Sequence, residues 1–160
     1  PCPITATVTP TGTWSGSLPS APPEDGLIIG ETGAQKLVGY VVDVSHADGR
    51  ARTYLDIDDR HLNRHGVLHG GIISMVLDNV CGVSASLSVD ASGTAPFLSL
   101  SMTTQYLAAA HPGKVTAIGT ITGGGRSTLF IEGELRDADG KLLATSSGVY
   151  KRVPQDKLKR

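Results

Sequence analysis

The chain of 160 residues has the size of one ordinary domain, and with 39% hydrophobic but only 4% aromatic residues its core must be mainly aliphatic. Fourteen Lys and Arg against 15 Asp and Glu leave a net charge of −1, which speaks against a nucleic-acid binder working through bulk positive charge. Glycine is over-represented, at 20 residues against a usual share of about 7%.

Residues 1–26 are rich in Pro, Ser, Thr and Gly and have no period that would bury one face, so they read as a flexible arm with Trp14 as its one anchoring side chain. Cys2 and Cys81 are far apart and match neither a disulfide framework nor a zinc spacing, which points to a reducing, cytoplasmic setting. No run reaches the ~18 apolar residues of a membrane span, and no basic segment precedes an apolar block, so no membrane partner is expected.

Residues 27–35 read as a short helix or turn, and residues 36–44 (KLVGYVVDV) as a strand. Ala47-Asp48-Gly49 supplies a turn, and residues 50–57 return as a second strand. Ile72, Ile73, Met75, Val76, Val80, Val83 and Leu87 then follow a helical spacing, opened by Gly70-Gly71. Strands are expected at 98–106, 114–122, 127–136 and, after the turn 137–140, at 142–152. One long helix against five or six strands joined mostly by hairpins predicts an α+β fold with an antiparallel sheet packed on the helix. The folded domain is expected over 27–153, followed by a basic tail at 154–160; Lys151, Arg152, Lys157, Lys159 and Arg160 crowd this end.

Asp78 is the single formally charged residue between Arg64 and Asp90 when His is neutral. It lies on a helix apolar around most of its circumference, and its helical neighbours Ser74, Met75, Cys81 and Gly82 carry no cation. A carboxylate in that setting needs a partner from another element or a watered cavity. Upstream, Asn63 to Gly71 forms a polar loop running into the helix, and the two glycines expose backbone N–H groups at the positive end of the helix dipole. Such an end can hold a polarised carbonyl oxygen, which is what acyl transfer requires.

The pattern Asn63-x-x-Gly66-x-x-His69-Gly70-Gly71 followed by Asp78 resembles the signature of hotdog-fold acyl-CoA thioesterases of the phenylacetate-degradation type, within the 4-hydroxybenzoyl-CoA thioesterase-like superfamily. The strand at 98–106 and the Pro112-Gly113 turn are similar too, and the likeness spans about residues 37–152. It implies a long helix wrapped by the sheet, two chains pairing as a homodimer or a dimer of dimers, an acyl-CoA substrate and no cofactor. It also implies roles: Asp78 as the acid, Gly71 as the oxyanion-side amide with His69 and Gly70 beside it, Asn63 placing water, and Ser99 assisting from the next strand. Helix geometry adds that Gly71 and Asp78, seven residues apart, are ~10 Å distant along one axis, so a single helix does not bring both to one carbonyl. Two antiparallel copies across a two-fold axis would.

Other signals are weaker. His61, His65 and His69 have a helical metal spacing, but Gly66 interrupts any helix there and no acidic or Cys ligand lies near, so no metal site is expected. The stretch 119–127 looks like a phosphate loop yet joins two strands; Gly66, Gly70, Gly125, Arg126 and Lys151 are kept as substrate-binding residues, with Gly125, Arg126 and Lys151 near the CoA moiety. No Gly-x-Ser-x-Gly elbow offers a serine nucleophile. The competing functions are a non-catalytic acyl-CoA-binding or regulatory domain and, behind it, a hydratase or dehydratase of the same fold.

Overall fold

A computed structural model describes residues 26–154, so the expected N-terminal arm with Trp14 and Cys2, and the tail lysines, lie outside the described residues. The elements in order are β1 (Leu27–Ile29), α1 (Gly33–Val38), β2 (Val41–Asp43), β3 (Arg52–Ile57), a 3-10 turn (Asp59–His61), α2 (Gly70–Leu87), β4 (Phe97–Tyr106), β5 (Gly113–Gly124), β6 (Thr128–Asp137) and β7 (Leu142–Arg152). The strands form one antiparallel sheet in the order β1-β2-β3-β5-β6-β7-β4. The four C-terminal strands and the long helix fall where hydrophobic alternation and turn residues put them.

The N-terminal part differs from its reading. Residues 36–44 are not one strand: Gly33–Val38 is helical and only Val41–Asp43 is extended. Thr32 caps the helix by accepting from the Gln35 N–H, and Gly39, at φ 86°, ends it in the left-handed region that glycine adopts freely. Residues 27–29, read as helix or turn, are a strand paired with β2, which makes seven strands among the described residues rather than five or six. A three-residue strand is too short to show a period.

Helix α2 also exceeds its reading, being long and apolar enough, by length and composition, to cross a membrane. Here that apolar surface is used against the sheet: Ile73, Val76, Leu77, Val80, Cys81 and Ala85 are buried with Leu55, Val115, Ile131, Leu135, Leu143 and Tyr150 of the strands. The helix settles onto a row of small residues. Gly119 of β5 pairs with Gly133 of β6, which pairs with Ser146 of β7. A Cβ on Gly119 would stand 2.6 Å from Ser84 Oγ and 2.7 Å from the Val80 carbonyl oxygen; one on Gly133 would stand 2.7 Å from Ser146 Oγ and 3.0 Å from Cys81 Sγ. Both glycines serve close approach of the layers.

The loop before α2 is pinned by His61, whose ring is buried and satisfied at both nitrogens. Its Nδ1 accepts from the Asp58 N–H at 3.0 Å, and its Nε2 donates to the Val38 carbonyl at 2.7 Å. The loop is thereby tied to the end of α1.

Candidate active site

Asp78 lies at the middle of α2, half-buried, its side chain facing the sheet end where β4 and β7 pair. The partner demanded by its setting is a pair of hydroxyls, not a cation: Ser99 Oγ donates to Asp78 Oδ1 at 2.7 Å, and Tyr150 Oη donates to the same oxygen at 3.2 Å. Among the described residues no Lys, Arg or His forms an ion pair with it. Burial, then the neighbouring Cys81 and Asp78, hold the Tyr150 phenol above its ordinary range, so it remains a donor. Asp78, Ser99 and Tyr150 line a cavity of about 290 Å³ together with Tyr40, Asn79 and Phe97. Asn79 is held in place by the Thr53 hydroxyl, which donates to its Oδ1 at 3.0 Å.

The glycine end of α2 opens elsewhere, beside a second cavity lined by Asn63, Gly70, Ile73, Tyr106 and Ala110. His69 is the N-cap, and its Nδ1 accepts from the Gly71 N–H at 3.0 Å. The amide singled out in the sequence is therefore engaged within the chain, whereas among the described residues no acceptor meets the Gly70 N–H. Tyr106, at the end of β4, clips this turn: its hydroxyl donates to the Gly70 carbonyl at 3.2 Å and lies 2.7 Å from Ser74 Oγ. Asn63 Oδ1 accepts from the His65 N–H at 2.8 Å and closes the turn in which Gly66 has φ 72°. His61, His65 and His69 thus have three separate positions, a buried strut, an exposed turn and a helix cap.

Within one chain the expected residues fall into two groups. Asp78 and Ser99 meet; Asn63, Gly66, His69, Gly70 and Gly71 gather at the helix start, and the two groups line different cavities. Gly125, Arg126 and Lys151 share an end of the sheet, where Thr128 pairs with Lys151 and Arg152 N–H donates to the Ser127 carbonyl; all are exposed. Tyr150 and Tyr106 were not anticipated. Both carry a polar tip among few aromatics, and a buried Tyr hydroxyl usually finds a partner.

A long helix held in an antiparallel sheet, with a carboxylate midway and the Gly70 amide open at its start, is the hotdog fold of thioester hydrolases. The chain belongs to the Thioesterase superfamily, whose description it matches over residues 65–144. It is 32% identical over 102 residues to a Saccharolobus solfataricus protein named as an esterase, covering 64% of this chain and 71% of that one. Human acyl-coenzyme A thioesterase 13 is 28% identical over 112 residues, covering 69% and 78%. Among solved structures, the E. coli PaaI protein from the phenylacetic acid degradation operon has the same fold, with a TM-score of 0.67 at 20% identity over 78% of this chain and 86% of that one.

Proposed function

We propose that the protein hydrolyses an acyl-CoA thioester to the free acid and CoA, at a site shared between two subunits. The observation that carries this is Asp78: a carboxylate anchored through one oxygen, in a residue that lines a cavity, and eight residues from the uncommitted Gly70 amide. Along one helix those eight residues span ~12 Å, too far for one carbonyl group to touch both. In a two-fold pair the helix start of one chain faces the acid of the other. The edge strand β4, whose Leu98 and Leu100 are 50% and 61% exposed, supplies an apolar surface for that pairing.

In this reading the thioester oxygen is held by the Gly70 N–H, joined by the Gly71 N–H once the His69 ring turns away. Asp78 takes a proton from water as the water oxygen bonds to the carbonyl carbon, and passes it to the sulfur as the C–S bond breaks; alternatively it attacks that carbon itself, expelling CoA as a thiolate that takes a proton from solvent, and water then opens the anhydride. Asn63 orients the water at the helix start. Gly66, Gly125, Arg126 and Lys151 contact the CoA moiety, with the cations near its phosphates.

The test is thiol release from short, long and aryl acyl-CoA thioesters. Asp78→Ala and Asp78→Asn should each lower turnover by ~10²–10⁴-fold, the usual contribution of a general base. Near-normal turnover in either variant removes Asp78 from the mechanism, and no release from any thioester by the unaltered protein leaves a binding module.

A further inference from the structure

Ser99 and Tyr150 are Cα partners in the β4–β7 ladder, so their side chains stand on the same face of the sheet. Immediately after Ser99 the register shifts, with Ser101 rather than Leu100 facing Val149. Such an irregularity re-aims the flanking side chains. The two hydroxyls converge on one atom, Asp78 Oδ1. Among the described residues no donor reaches Asp78 Oδ2.

The two donors are unequal. Ser99 is exposed, while Tyr150 is 1% exposed and enters from inside the core. Its ring has a seat made for it: a Cβ on Gly148 would stand 2.8 Å from Tyr150 Cε2. Its hydroxyl is bounded on another side by Met102 Sδ at 3.7 Å. A ring fixed by packing holds its hydroxyl with little loss of rotamer freedom, as a positioning group requires.

We infer that Tyr150 is a positioning residue for Asp78: with Ser99 it clamps Oδ1 and so makes Oδ2 the oxygen that meets water or the thioester carbonyl. Burial raises its phenol above the ordinary tyrosine range, so the hydroxyl stays a donor where an exposed tyrosine would ionise. A free carboxylate can turn about its Cβ–Cγ bond and present either oxygen, whereas one anchored through Oδ1 presents Oδ2 in a fixed direction. Misplacement by about 1 Å can cost ~10²-fold in rate.

This inference rests on Asp78 being the reacting acid, and the experiment separates the two. Tyr150→Phe keeps the ring and removes one oxygen; with the acyl-CoA turned over fastest in the thiol-release panel it should lower kcat by about 10- to 100-fold and change KM by less than about twofold. Rates are normalised to the folded fraction read by near-ultraviolet circular dichroism, so that loss of fold is not scored as loss of kcat. In an Asp78→Ala background, Tyr150→Phe should have no further effect on the residual rate. If Asp78→Ala abolishes turnover while Tyr150→Phe keeps kcat within twofold, or if Tyr150→Phe acts equally with and without Asp78, Tyr150 is part of the packing alone and the inference falls. If Asp78→Ala itself remains active, the catalytic reading falls first.

Discussion

Three residues beyond Asp78 on α2, the Cys81 thiol is held in its neutral form. Burial pushes it up from its ordinary value near 9 to about 11. The folded state therefore keeps a proton that the unfolded chain releases, and stability falls as pH rises from about 9 to about 11. Two units at ~1.4 kcal/mol each give a full loss of about 2 to 3 kcal/mol. Urea unfolding at pH 8, 9.5 and 10.5 should show a shallower decline in Cys81→Ala than in the unaltered chain, and equal declines would contradict the burial argument. At this scale the sequence made Asp78 legible, because a lone charge in an apolar run has few explanations. Tyr150 was not legible. Its partner depends on which residue of β4 lies opposite, and pairing register between strands separated by two others in sequence is a property of the fold.

The contact of α2 with the sheet is set by what β5 and β6 lack. Gly119→Ala would place a methyl group 2.6 Å from Ser84 Oγ, which can turn away only by breaking its bonds to the Ala51 N–H and the Gly119 carbonyl, and 2.7 Å from the Val80 carbonyl, which cannot retreat without moving α2. Overpacking of this kind costs about 1–3 kcal/mol, or several degrees in Tm. Gly125→Ala, where no atom lies within 4 Å and the backbone is unstrained, should shift Tm by no more than about one or two degrees. Thermal denaturation of the two variants checks the contrast, and equal shifts would remove close approach as the reason for Gly119. The elements from β4 onward were readable because alternation is interrupted by turn residues such as Asp137 to Gly140. The stretch 36–44 misled because its apolar run hides a break. Gly39, in the left-handed region, divides it by ending a helix that begins at the Thr32 cap, before the stretch, and neither signal is one that hydrophobicity registers.

For the whole molecule, the proposed division of the site between two chains would make activity a property of the pair. Asp78→Ala removes the acid, and Gly70→Val crowds the amide end, where a Cβ would lie 3.3 Å from Tyr106 Cε1. Each variant alone should be inactive. Unfolded and refolded together they should recover about a quarter of normal activity, since half of randomly formed pairs are mixed and each mixed pair has one intact site. Mixed pairs that remain inactive, or dilute monomers that retain full activity, would place the site within one chain. The expectation of a partner chain came from helix length alone, whereas the two cavities that separate the groups were not legible, since each is lined by residues from distant parts of the sequence. The glycine row beneath α2 also gives the molecule an uneven tolerance of change. Most cores fail in two ways, by losing atoms or by gaining them, and compensating substitutions can pass between the two. At Gly119 and Gly133 there is no side chain to lose, so every error is one of excess, and relief must come from a neighbour that can shrink, such as Ser84 or Ser146.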